Sequence, residues 1–192
     1  RSTHLLTLFP YTTLFRSKQF ALLKQLLPNA KKIGIVYNLG EQNSEIQVAS
    51  AKALASKFGF TIETVGVSNV NEIAQALDAL LPKVDALYEP TDNLVASAMP
   101  LIAEKSIANK KAVITGEKGM VEAGGLATEG IDYYELGKQT GEMAIKVLKG
   151  EKPNTLAIKT LEKTELVINM KTLNALGLTL PADLDKKATK VE

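Results

Sequence analysis

Lys32-Ile33-Gly34-Ile35-Val36-Tyr37-Asn38-Leu39-Gly40-Glu41-Gln42-Asn43-Ser44 passes from a strand-like apolar run through a short polar loop into the start of a helical pattern. The same change recurs where Val84 to Glu89 gives way to Pro90-Thr91-Asp92-Asn93. Polar side chains and free helix-start amides gathered at the C-terminal ends of strands are where open α/β sheets bind small ligands.

Working outward from these two turns, the chain alternates between short apolar runs and longer amphipathic ones. Strands are expected at Lys32 to Tyr37, Thr61 to Val67 and Val84 to Glu89, with helices at Ser44 to Phe58 and Val70 to Leu81 between them. This is the βαβαβ rhythm of a parallel sheet with helices on both faces, so the fold class is α/β. A helix from Leu94 to Ala108 follows, and Pro100 must kink it or sit near its start. Further strands are expected at Ala112 to Ile114 and Leu126 to Thr128, with a short helix near Lys118 to Glu122. A long amphipathic helix runs from Tyr133 to Lys149, with Gly150 suited to its C-terminal cap. Upstream, Lys18 to Leu27 has helical spacing and stops at Pro28.

After Gly150 the character changes. Glu151-Lys152-Pro153-Asn154 is a polar break, followed by Thr155 to Leu161 and Glu165 to Ile168 with no long helix between them. Parallel neighbours need a crossover, so these runs form an antiparallel pair or belong to different sheets. A domain edge is expected at about Glu151, and a helix at Met170 to Leu176 with Gly177 as its cap.

Residues 1–17 stand apart. Thr7 to Ser17 resembles the conceptual translation of a sequencing adapter, and the stretch is read as an artefactual, disordered extension. It holds both arginines, Arg1 and Arg16, and the single histidine, His4. Without those arginines, the remaining 21 of 23 basic residues are lysines facing 21 acids, so the formal charge of the body is zero rather than +2. No basic surface for nucleic acid is expected. A body without Cys or His lacks thiol nucleophiles, histidine bases and the usual zinc ligands, and no cofactor is expected. No run approaches the ~20 apolar residues needed to span a bilayer.

Four junctions gather the candidate site residues. In the first, Ser44 with Gln47 three residues on has the pattern of a capping box, while Glu41 and Asn43 add polar groups beyond what a cap needs. In the second, Asp92 or Asn93 can cap the next helix, leaving Thr91 and the spare member for a ligand. Gly116 and Glu117 lie at the third. At the fourth, Asp132 is a cap candidate for the long helix, and Tyr133 and Tyr134 project about 100° apart, so both cannot be core on one face and one is expected near the cleft. Glu41, Asp92, Glu117 and Asp132 leave a carboxylate-dependent enzyme as an alternative, for which one raised pKa would be the sign. There is no G-x-S-x-G elbow, P-loop or G-x-G-x-x-G.

At these residues the chain resembles the substrate-binding lipoproteins of ABC transporters, with a type I periplasmic-binding-protein fold, in the branch that includes binders of tryptophan and other aromatic amino acids. The resemblance rests on Leu27-Pro28-Asn29-Ala30-Lys31-Lys32-Ile33-Gly34-Ile35-Val36-Tyr37-Asn38, on Asn43-Ser44 and on Val84 to Tyr88 with Pro90 to Asn93. It extends to Gly130-Ile131-Asp132-Tyr133-Tyr134 with Leu136-Gly137 and Gly141. It implies a two-lobed receptor of which residues 18–150 are the C-terminal lobe and 151–192 a return segment packing on an absent N-terminal lobe. It also implies a non-enzymatic protein on the extracellular face of the membrane or in the periplasm, partnered by permease and ATPase subunits. Its ligand would be a small molecule, most simply an amino acid. By the same resemblance, Glu41, Asn43, Ser44, Thr91, Asp92, Asn93, Gly116, Glu117, Asp132 and Tyr133 line the cleft. The helix-start amides would meet a carboxylate, and Asp92 or Glu117 an ammonium group. The alternative on the same fold is the ligand-sensing domain of a regulator.

Overall fold

The structure, a computed structural model, describes residues 10–159 and 164–192. Among them, helix α1 (Pro10–Leu26) leads into β1 (Lys32–Asn38), α2 (Gln42–Ala55), β2 (Thr61–Val67), α3 (Ile73–Leu80) and β3 (Ala86–Glu89). Next come α4 (Asn93–Ser97), α5 (Met99–Ala108), β4 (Ala112–Thr115), α6 (Lys118–Glu122), β5 (Ala127–Ile131) and α7 (Tyr133–Leu148). The chain closes with β6 (Thr164–Asn169), α8 (Met170–Leu176), α9 (Ala182–Asp185) and β7 (Thr189–Val191).

The described strands form one sheet in the order β2-β1-β3-β4-β5-β6-β7. All neighbours are parallel except β5 and β6. Because strand side chains alternate between faces, consecutive residues enter different cores. Ile35, Tyr88 and Ile114 join Phe20, Leu23 and Ala51 on the face covered by α1 and α2. Val36, Leu87 and Val113 join Leu77, Met99 and Ile102 under α3 and α5 on the other. Burial of both faces is why these strands read as continuous apolar runs. At Gly34 a Cβ would come within 2.6 Å of Leu87 and 2.9 Å of Leu80, so the strand needs glycine there to let α3 lie close.

Four expectations are revised. The helix over Leu94 to Ala108 is two helices, α4 and α5, broken at Ala98, and Pro100 sits at the start of the second, where its missing N–H costs nothing. Residues 164–192 do not form a unit apart from this lobe. β6 pairs antiparallel with β5 from Ala127↔Ile168 to Ile131↔Thr164, and β7 pairs with β6. Val167, Ile168, Leu173 and Leu184 are buried in this lobe's own core, which offers them apolar surface without a second lobe. Residues 10–17 were expected to be disordered, yet they are helical as the first turns of α1, and Arg16 is 5% exposed. The strand expected at Thr155 to Leu161 is not formed in its described part, since Thr155 ends a helical turn begun at Pro153 and 156–159 are neither helix nor strand; residues 160–161 lie outside the described residues, as do Arg1 to Phe9.

One element is left bare. The amphipathic helix α7 buries no residue, and Tyr134, Ile145 and Leu148 are 75%, 52% and 86% exposed. Gly137 and Gly141 occupy its interior although, among the described residues, no atom beyond the helix's own local backbone and the adjoining residues lies within 4 Å of where a Cβ would stand.

Candidate ligand-binding site

In the sheet order β1 runs on to β2 on one side and its neighbour β3 runs on to β4 on the other, so the connections from these two strands leave in opposite directions, and a crevice forms at such a point. The β1–β3 ladder pairs Ile33 with Ala86 and Gly34 with Leu87 and then stops. Beyond it the backbone donors of β1 find side chains instead. Val36 N–H donates to the Glu89 carboxyl at 3.3 Å, and Asn38 N–H donates to Asp92 Oδ2 at 2.7 Å. Two acids at the end of β3 thus replace ladder rungs, and the strand ends part without leaving a buried amide unpaired.

Glu89 is fully buried. Burial pushes its carboxyl well above the ordinary glutamate value, and the Asp92 charge adds to the rise while the Val36 N–H opposes it. Asp92 is only 1% exposed, and its other oxygen accepts from Val95 N–H at 3.0 Å to cap α4. Both Asp92 oxygens are therefore committed to main-chain donors, so the expected contact with a ligand ammonium group does not suit its placement.

The two loops are tied together by Glu41. Its carboxylate accepts from the side-chain amides of Asn38 at 3.2 Å, Asn43 at 3.4 Å and Asn93 at 3.3 Å. Gln47, one turn into α2, donates to Thr91 O at 2.7 Å. The capping box expected at Ser44 and Gln47 is not formed, because α2 starts two residues earlier at Gln42. Ser44 is instead fully buried, and its Oγ has no hydrogen-bond partner among the described residues.

Above these loops lies a hollow of about 290 Å³. Four of the expected residues line it: Asn43, Thr91, Gly116 and Tyr133. Gly116 is there because a Cβ would stand 2.6 Å from Thr91 N, so the third junction can touch the second only without a side chain. Tyr133 rather than Tyr134 faces the hollow, beside Thr91. Partial burial raises its phenol above the ordinary value, and Glu117 raises it further. Glu117 and Asp132 line a neighbouring hollow with Tyr133, and each caps a helix: Glu117 accepts from Gly119 and Met120 N–H, Asp132 from Tyr134 and Glu135 N–H. Glu41, Asp92 and Asn93 brace the loops and Ser44 is buried without a partner for its hydroxyl, and none of the four lines the hollow.

The rest of the lining was not expected. Ile46 and Gln47 follow Asn43 by three and four residues, on the same face of α2, a spacing that could have flagged them. Ile131 precedes the Asp132 cap. Tyr88 comes from β3 and Gln19 from α1, and nothing in their local pattern marks them. Phe15 and Arg16 from the first turns of α1 close one side. Burial pushes the Arg16 guanidinium below its ordinary value, with Tyr88 opposing, and its Nε donates to Ser50 Oγ at 3.1 Å. Among the described residues no group of His, Cys, Asp or Glu is arranged to hold a metal ion, and no helix is long and apolar enough to cross a membrane.

Residues 13–192 match the model of the ABC transporter substrate binding protein family. The chain belongs to that family. A tyrosine-binding protein of Clostridioides difficile (strain R20291) is 44% identical over 161 residues, covering 84% of this chain and 47% of the relative. A domain from Streptococcus pneumoniae solved in complex with L-Trp superposes with a TM-score of 0.85 at 40% identity, covering 93% of this chain and 60% of the other. The ligand-free, open structure of a substrate-binding protein with adhesive properties from Clostridium difficile gives 0.77 at 43% identity, with coverages of 91% and 59%. The chain thus spans about half the length of the curated relatives it matches. Family members are substrate-binding proteins, and the mostly parallel, helix-flanked sheet matches one lobe of the type I periplasmic-binding-protein fold.

Proposed function

We propose that the chain supplies one wall of a two-lobed receptor that binds an amino acid, most simply an aromatic one, outside the cytoplasm and hands it to a membrane permease. The observation that carries this reading is the hollow at the parted ends of β1 and β3. Its apolar lining from Ile46, Ile131 and Tyr88 suits a ring, while Asn43, Gln47 and Thr91 supply the few polar groups that orient a ligand. Its size lies near the lower end of ligand pockets, which fits a single amino acid. The names of two relatives, one tyrosine-binding and one in complex with L-Trp, point to the same ligand class.

The bare face of α7 supports a second lobe. Interior glycines weaken a helix by roughly 1 kcal/mol each relative to alanine, a cost with no return unless another backbone comes close. The described residues bring nothing near Gly137 or Gly141, and Ile145 and Leu148 face solvent. The occupant proposed for this face is the N-terminal α/β lobe, the half of the relatives' length that this chain does not span.

The test is to join the chain to its N-terminal lobe as encoded in the genome and to screen amino acids by thermal shift and calorimetry. Tyrosine or tryptophan should raise the melting temperature and titrate to one site. Stabilisation by a sugar or a purine, with no response to any amino acid, would sink the ligand class.

A further inference from the structure

We propose that Gln19 is the residue that reads a hydroxyl group on the ring of the bound amino acid, and so separates tyrosine from phenylalanine. This rests on the ligand class proposed above. Gln19 is 3% exposed, yet it lines the hollow, and it sits among Phe20, Leu22 and Leu23 where a polar side chain is costly unless bonded. Its Oε1 accepts from Tyr88 Oη at 2.7 Å and its Nε2 donates to Gly116 O at 3.1 Å. The Gly116 carbonyl can only accept, which fixes the nitrogen on that side and the oxygen toward Tyr88.

A primary amide carries two N–H donors and two carbonyl lone pairs, so one of each is unspent by these two bonds. The phenol of Tyr88 likewise keeps a lone pair, and burial holds it protonated by pushing its pKa up. The hollow therefore offers a fixed polar point in a lining that also includes the apolar side chains of Ile46 and Ile131. A ring bearing a hydroxyl suits both the apolar and the polar part of that lining, whereas an unsubstituted ring leaves the buried amide short of a partner. Tyr88 stands edge-on to Phe20, with ring centroids 5.0 Å apart, which holds the pair in place before any ligand arrives.

The test is calorimetric titration of L-tyrosine, L-phenylalanine and L-tryptophan into the full-length, two-lobed protein and into its Gln19→Met and Gln19→Glu variants, with circular dichroism to confirm folding. The parent should bind tyrosine about 10-fold or more tighter than phenylalanine. Gln19→Met should bring that ratio to within about 2-fold, mainly by weakening tyrosine. Gln19→Glu keeps the acceptor for Tyr88 but loses the amide donor, so it should also shift the ratio, and it carries the test if the methionine variant does not fold. Equal weakening of all three ligands, or an unchanged ratio, would make Gln19 a structural tie and overturn the inference while leaving the ligand class intact. A parent that binds these amino acids without preferring tyrosine to phenylalanine overturns it too, and a parent that binds none of them overturns both.

Discussion

Helices α3 and α7 are both amphipathic, and both follow a strand of the same sheet, yet they end in opposite environments. α3 buries Ile73, Ala76, Leu77 and Leu80 against Leu87, Ile102 and Val36, whereas α7 buries nothing and holds Ile145 and Leu148 in solvent. An apolar stripe on a helix states that a partner exists, but it does not state which chain segment provides it. For α3 the partner is the sheet beside it. For α7 no partner is found among the described residues, and the glycines at positions 137 and 141 mark where a close one would lie.

The contrast predicts unequal costs for similar substitutions in this chain. Leu77→Ala should lower the unfolding free energy by about 2–5 kcal/mol, because it opens a cavity in a closed core. Leu148→Ser should change it by less than about 0.5 kcal/mol, since that side chain is 86% exposed. Urea denaturation of the two variants measures the difference, and a comparable loss at Leu148 would mean that α7 is packed in solution.

Unlike the bare face of α7, the end of β3 encloses a fully buried carboxyl, Glu89. Folding raises the Glu89 pKa above its unfolded value near 4.5, so the protonated carboxyl favours the native state. That contribution is complete below the unfolded pKa and is lost as pH rises through the folded one. Stability of the parent should therefore decline from the ordinary carboxylate range toward neutral pH. Glu89→Gln, which keeps an acceptor for Val36 N–H without a charge, should flatten the slope and gain most at the upper end. Denaturation midpoints across pH decide this, and parallel pH profiles for the parent and variant would refute it.

A smaller effect changes sign with the second lobe. In this chain Gly137→Ala should stabilise by up to about 1 kcal/mol, because the helix gains propensity and the Cβ meets nothing. In the two-lobed protein the same change should destabilise by about 1–3 kcal/mol through overpacking. Thermal melts of both forms give the comparison, and stabilisation in both would remove the interlobe face from α7.

Much of the sheet was legible in the sequence because its central strands β1, β3 and β4 are buried on both faces. Ile33, Ile35 and Val36 cannot sit in water together, and a run of that kind between helical patterns has one common solution. Pro100 was legible as a break for a local reason, its missing donor. The site was only partly legible. Asn43, Thr91, Gly116 and Tyr133, expected from their place at strand-to-helix junctions, all line the hollow. Ser44 misled, because a capping pattern is a statement about where a helix starts, and here the helix starts two residues earlier. Asp92 misled in a similar way, since a carboxylate suits both a ligand and a backbone, and only the parting of β1 from β3 shows that Asn38 and Val95 claim it.

By itself the sequence determined the α/β alternation, the four polar junctions and the exclusion of histidine or cysteine chemistry from the body of the chain, because composition, period and turn residues are local properties. The tertiary structure alone decided that β6 and β7 complete this sheet, that Gln19 and Tyr88 meet at the hollow, and that α7 has no partner among the described residues. Each of those depends on residues distant along the chain coming together, and side-chain pairing across that distance leaves no trace in local pattern.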